Sequence, residues 1–208
     1  MASKKPKNNP ALLLALLALA GVAALWVRMN GSKPGAPARH PHKPTPTAQP
    51  VVAAARLALV LDDWGYSARQ LPRLKDFHGK LTVAVIPGLG LSKKAAETAH
   101  TAGQEVIMHL PVEPLAKMPL APGTLMVGMS EAEVVRLCEA HAQSVPFMVG
   151  LNNHEGSKGS ADPALMGAVA RWLKGRHGYF LDSVTTPKSQ IPEQARLAGI
   201  PWARNRVF

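Results

Sequence analysis

From Arg56 onward the chain reads as α/β, a parallel sheet covered by helices and wound as a barrel. Short apolar runs of strand length alternate with longer amphipathic runs of helix length. The strand segments are apolar at successive positions, the pattern of strands covered on both faces. Roughly six such units follow one another without a glycine-rich phosphate loop, which favours a barrel over a dinucleotide-binding sheet.

Taken in order, the apolar runs predict strands near 57–62, 81–86, 105–110, 146–151, 178–182 and 200–204. Helices are predicted in the gaps, at 67–76, 91–103, 130–143, 162–175 and 189–198. Ser92, Ser130 with Glu133 three residues on, and Asp162 followed by Pro163 are helix-start signals. Gly103 and Gly199 suit helix C-terminal caps. Cys138 is the single cysteine; it has no partner for an intramolecular disulfide and reads as a packing residue in the fourth helical stretch's predecessor, 130–143.

Polar clusters stand at the ends of three apolar runs: Asp62-Asp63 after Leu-Ala-Leu-Val-Leu, His109 after Glu-Val-Ile-Met, and Asn152-Asn153-His154 after Phe-Met-Val-Gly-Leu. In a parallel barrel functional groups gather at the C-terminal strand ends. Those ends supply Asp62, Asp63, His109, Glu113, Asn152, Asn153, His154, Asp182 and Ser183. Two imidazoles and one carboxylate with an open fourth position form a catalytic zinc site, where the metal brings the pKa of water to about 7. A second carboxylate alongside can accept the water's proton, and adjacent acids can share these tasks where both reach the rim at a frayed strand end. Singly, each cluster has a plainer reading: a turn or cap for Asp62-Asp63, a structural hydrogen bond for a strand-end His, turns for Asn152-Asn153 and Asp182-Ser183. Their joint occurrence on one rim favours the site.

The first fifty residues do not belong to the folded part. Residues 1–9 are basic and are expected to stay cytoplasmic. Residues 10–28 are an apolar stretch close to the length that spans a bilayer, and read as an uncleaved anchor or as a signal segment cleaved after Ala18-Leu19-Ala20. Residues 29–50 are rich in Pro, Gly, Lys and Thr and read as a disordered linker, His40 and His42 included. This places the domain, residues 51–208, in the periplasm, tethered to the bacterial inner membrane or secreted. The net charge of +11 divides unevenly, because all 13 Asp and Glu lie beyond residue 50 and seven of the 24 Lys and Arg lie before it. The domain therefore carries +4, without interleaved aromatics or a basic helix, which argues against nucleic acid and suits an anionic envelope polymer.

Five motifs then occur in order: Asp62-Asp63-Trp64-Gly65-Tyr66, Val85-Ile86-Pro87-Gly88, His109-Leu110-Pro111-Val112-Glu113-Pro114, Asn152-Asn153-His154-Glu155-Gly156-Ser157 and Phe180-Leu181-Asp182-Ser183. Over residues 56–208 the chain resembles the divergent polysaccharide deacetylase family, whose fold is a distorted barrel of strands and helices. The resemblance implies metal-dependent hydrolysis of an N- or O-acetyl group on a cell-envelope glycan. It implies a divalent metal, zinc, held by Asp63, His109 and His154, with Asp62 as general base and Glu113, Asn152, Asn153, Asp182 and Ser183 contacting substrate or supporting the site. Departures from the family pattern are Glu155, where Met is common, and Gln104, where His is common; Glu155 reads as a loop acid or an added ligand.

Relatives continue where this chain stops at Val207-Phe208, so the barrel is expected to be incomplete at its C-terminus, with an unpaired edge. Two further classes stay open: a non-catalytic envelope protein that binds glycan or acts as a scaffold, including an inactive truncated deacetylase, and a phosphate-ester hydrolase with a second metal. Lys117–Gly128 is expected to wall the substrate cleft or simply to connect. The incomplete barrel predicts low autonomous stability for residues 51–208; a cooperative melt of the purified monomer at high temperature would overturn that expectation.

Overall fold

The computed structural model describes residues 57–207; the basic N-terminus, the apolar segment at 10–28 and the linker at 29–50 lie outside them. No helix of the described residues is long and apolar enough to cross a membrane. Six strands, β1 (Val60–Trp64), β2 (Thr82–Val85), β3 (Glu105–Val112), β4 (Gly150–Glu155), β5 (Tyr179–Asp182) and β6 (Trp202–Arg204), form one parallel sheet in sequential order. Between them run α1 (Leu71–Asp76), α2 (Ser92–Thr101), α3 (Glu131–Ser144), α4 (Pro163–Gly175) and α5 (Ile191–Ala198). The α/β expectation therefore holds.

Alternate strand residues on one face of the sheet pack against the helices, and the other face carries His109, Asn152 and His154. Among the described residues the sheet is open, with β1 and β6 as its edges. Alternate strand residues Val83, Val85, Val106, Met108, Leu110, Leu151 and Phe180 pack in one cluster with Ala95 and Ala99 of α2, Val134 and Cys138 of α3, and Leu165, Val169 and Trp172 of α4. Full burial of each larger member contributes about 1.5–3 kcal/mol. Cys138 is fully buried, and burial, then the Glu139 charge, pushes its thiol up to about 12, which suits an inert packing residue.

Several helix signals act as expected. Ser130 and Glu133 form a reciprocal capping box at α3, and Asp162 accepts the Leu165 N–H ahead of Pro163 at α4. Gly199 closes α5 at φ 71, in the left-handed region. Ser92 differs: it lies inside α2, whose cap position is Leu91. Its buried hydroxyl donates to the Ile86 carbonyl at 2.6 Å and accepts the Leu89 N–H at 2.9 Å, tying the β2–α2 turn to the helix. The segment 67–76 is divided into a 3₁₀ turn at Ala68–Gln70 and α1.

Two strands are displaced from their expected positions. The run 146–151 does not become a strand until Gly150, because Phe147 takes φ 66 and Phe147 and Val149 are exposed. β1 and β4 extend instead through the polar residues, so Asp62, Asp63, Asn152, Asn153 and His154 lie within strands. Apolar character marks burial, whereas the ladder continues wherever a neighbour supplies hydrogen bonds.

On the inner face Tyr179 lies across β4 to reach β3: its hydroxyl donates to Glu105 Oε1 at 2.7 Å, and Thr82 Oγ1 donates to the same oxygen at 2.8 Å. Only glycine permits this crossing, since a Cβ at position 150 would lie 2.7 Å from the Tyr179 carbonyl oxygen and 2.9 Å from its ring. Gly150→Val is accordingly expected to destabilise the chain by about 1–3 kcal/mol through overpacking. A urea or thermal melt indistinguishable from the parent would contradict this packing.

Candidate metal centre

The site begins with an irregularity in β1. Val60 pairs with Thr82 and Leu61 with Val83, yet the next partners are Trp64 and Val85, so β1 carries one extra residue. Asp63 absorbs it at φ 64. Such a bulge re-aims side chains, and Asp is among the few non-glycine residues that tolerate the left-handed region. The alternation that would send Asp62 and Asp63 to opposite faces is thereby broken.

β3 and β4 contribute the imidazoles. Their parallel register sets His109 beside Asn152 and Pro111 beside His154, so positions 109, 111, 152 and 154 share one face. His109 Nε2 lies 3.3 Å from Asp63 Oδ1, and His154 Nδ1 lies 3.2 Å from the same oxygen. The two rings meet edge to face, with centroids 4.8 Å apart. One donor atom from each of Asp63, His109 and His154 falls within 4.8 Å of the other two. Two nitrogens and one carboxylate oxygen so arranged fit a divalent metal with a remaining position for water or substrate.

Burial differs across the trio: the His109 side chain is 5% exposed, that of His154 16% and that of Asp63 62%. The cluster is thus walled by β3 and β4 and open on the β1 side. In their charged forms His109 and then His154 donate hydrogen bonds to Asp63, and with those charges they hold its carboxyl well below the usual carboxylate range despite partial burial.

A hydrogen-bonded shell backs the trio. Asn152, 1% exposed, faces His109 Nδ1 at 2.8 Å through Oδ1 and donates from Nδ2 to Asp62 Oδ1 at 2.9 Å and to Ser183 Oγ at 3.3 Å. Asn153 points to the other face, where its Oδ1 accepts the Ser183 N–H at 2.8 Å and its Nδ2 donates to Ser160 Oγ and Thr185 Oγ1. Asn152 and Ser183 are therefore brought to the site, while Asn153 fixes the loops beneath it.

Glu113 and Asp182 lie outside the trio. Glu113 forms an ion pair with Lys158 Nζ at 2.6 Å and accepts the Val127 N–H, which holds its carboxyl below the ordinary value, and its main-chain carbonyl accepts the Lys158 and Gly159 N–H groups. It clamps two loops. Leu125, in the loop from 117 to 128, bridges back to Val112 through the Pro111 and Glu113 main chain, so part of that loop is fastened to the end of β3. Asp182 is fully buried; Oδ1 accepts the Val184 N–H, and Oδ2 lies 3.2 Å from Arg204 Nε without hydrogen-bond alignment.

Sequence reasoning missed Arg204 and Lys158. The pairing of Asp182 with Arg204 along β5 and β6 is legible only once that register is known. Glu155 sits at φ 54 with Oε1 3.7 Å from His154 Nε2, beside that ring's outer nitrogen and outside the trio. With Val184 at φ 61, three strand ends on this rim carry non-glycine residues in the left-handed region, a concentration typical of sites held by their surroundings.

Because the folded-state value of Asp63 is depressed, its contribution to stability is complete above its ordinary pKa of 3.8 and is lost as pH falls towards the folded value. Between about pH 5 and pH 2 the metal-free parent is expected to lose more stability than Asp63→Asn. Exposure keeps the difference below about 1 kcal/mol. Parallel urea titrations showing equal losses would remove the basis for this coupling.

Comparison with known proteins agrees with the geometry. The profile of the family described as divergent polysaccharide deacetylase matches residues 59–208. The uncharacterized protein YibQ of Escherichia coli is 37% identical over 157 residues, 76% of this chain and 49% of that protein. An uncharacterized protein of Haemophilus influenzae is 31% identical over 156 residues, 75% of this chain and 56% of its own length. The chain thus spans about half the length of the curated relatives it matches. A crystal structure of an uncharacterized protein from Agrobacterium tumefaciens shares the fold, with a TM-score of 0.64, 20% identity and coverage of 73% of this chain and 63% of that one. With its rim motifs and a profile match over most of its length, the chain belongs to the divergent polysaccharide deacetylase family.

Proposed function

We propose that this protein is a metal-dependent hydrolase that removes acetyl groups from a cell-envelope polysaccharide or related glycan, with zinc as the metal. The observation that carries the reading is the convergence of Asp63, His109 and His154, with Asp62 joined to His109 through Asn152. A divalent cation there supplies Lewis-acid chemistry, activating water near neutral pH and polarising a carbonyl.

The chain's own residues supply the rest. Asp63, His109 and His154 hold the cation. Asp62, on the same bulged strand and exposed, accepts the proton of the attacking water at a carboxylate oxygen. Asn152 keeps that carboxylate turned toward the site through its 2.9 Å bond. Burial of His109 on β3 limits its freedom to reorient, so the donor set is organised before substrate arrives. The apolar segment at 10–28 and the +4 charge of the domain support placement at the periplasmic side of a bacterial inner membrane, anchored or released.

Full-length protein is expected to carry about one equivalent of zinc, which Asp63→Ala and His154→Ala variants lose. Acetate should be released from acetylated envelope glycans. Asp62→Asn should retain the metal while kcat falls about 10²–10⁴-fold, the usual loss for a removed general base. Zinc bound without release of acetate from any such glycan would favour the non-catalytic binding or scaffold reading, and release of phosphate instead would replace this proposal.

A further inference from the structure

We infer that Asn152 is a positioning residue that links the carboxylate assigned to proton transfer with an imidazole assigned to the metal, by deciding which nitrogen of His109 is free to bind. The roles of Asp62 and His109 are those proposed above, on which this inference rests.

Asn152 is 1% exposed, and each of its three polar bonds goes to protein. An ionised carboxylate accepts hydrogen bonds and cannot donate them. The amide nitrogen of Asn152 must therefore be the atom that faces Asp62 Oδ1 at 2.9 Å, since the reversed amide would set two acceptor oxygens against each other. Its second hydrogen meets Ser183 Oγ at 3.3 Å. With the nitrogen so placed, Oδ1 faces His109 Nδ1 at 2.8 Å, and that contact is a hydrogen bond only if Nδ1 carries the hydrogen.

The consequence appears on the opposite side of the ring. In the neutral ring Nε2 of His109 is left with its lone pair directed at Asp63 Oδ1, 3.3 Å away. A lone pair and a carboxylate oxygen facing each other at that distance call for a cation shared between them, and His154 Nδ1 lies 3.2 Å from the same oxygen. Asp62, through one amide, thus selects the tautomer of His109 that can bind metal. The arrangement is not duplicated at His154, whose outer nitrogen lies 3.7 Å from Glu155, beyond hydrogen-bond length.

Asn153 cannot substitute, because alternation along β4 turns it to the other face. It contributes indirectly: by accepting the Ser183 N–H it fixes the residue whose hydroxyl receives the second hydrogen of Asn152. The two consecutive asparagines therefore have different tasks, one in the site and one beneath it.

Two substitutions separate the two bonds. Asn152→Ala removes both, whereas Asn152→Asp keeps an acceptor for His109 Nδ1–H but sets a second carboxylate against Asp62. Long-range proton–nitrogen correlation spectra of the full-length, metal-free chain report the His109 tautomer directly, and calorimetric zinc titration reports affinity. The parent is expected to carry the His109 hydrogen on Nδ1. Asn152→Ala should move it at least partly to Nε2 and weaken zinc binding about 10–100-fold, the usual effect of losing a ligand's outer partner. Asn152→Asp should retain the Nδ1–H form and bind zinc no more weakly than the parent while losing acetate release.

A parent with the hydrogen on Nε2 overturns the inference, and so does Asn152→Ala with parental tautomer and parental zinc affinity. If Asn152→Ala does not fold, the parent spectrum and Asn152→Asp still decide: loss of the Nδ1–H form in the aspartate variant overturns it. The expected tautomer changes in a protein that releases no acetate would support the positioning role and remove the proposed activity.

Discussion

The parallel register between β3 and β4 is the constraint on which the rest depends. Pairing His109 with Asn152 and Pro111 with His154 puts both imidazoles and the amide on the inner face while Leu110, Val112 and Leu151 pack against the helices. A shift of one residue would reverse these assignments, burying His109 among apolar side chains and turning Leu110 into the site. The same ladder therefore fixes the core and the chemistry, and it is well specified because one of its faces joins an apolar cluster contributed by five strands and five helices.

Polar groups enter this interior because each finds a partner. Asn152 satisfies Asp62, His109 and Ser183, while Asn153 satisfies Ser160, Thr185 and the Ser183 main chain. Buried amides of this kind are costly alone and specific in combination. The rim is then shaped by backbone that departs from ordinary strand geometry at Asp63, Glu155 and Val184. At Asp63 the departure has a clear result, since one inserted residue lets two successive acids serve the same end of the sheet.

Much of this was legible in the residues. Alternating run lengths gave the strand and helix order, Ser130 with Glu133 and Asp162 marked helix starts, and the polar ends of three apolar runs pointed to one rim. The limits of that reading have physical causes. Ser92 has a cap residue's chemistry, yet its hydroxyl is taken by the β2–α2 turn. Phe147-Met148-Val149 has strand composition, yet Phe147 turns left-handed before the ladder begins at Gly150. Glu113 and Asp182 stand at the expected strand ends, but their carboxylates are engaged by Lys158 and Arg204, whose positions come from a loop and a neighbouring strand.

By itself, the sequence determined the class of fold and the candidate donors, because strand and helix periodicity and turn chemistry are local properties that each segment carries alone. Only the tertiary structure decided which of two adjacent asparagines enters the site and which carboxylates serve as clamps. Those choices depend on register, a bulge and distances between residues as many as ninety positions apart, as for Asn152 and Asp62, and no local pattern contains them.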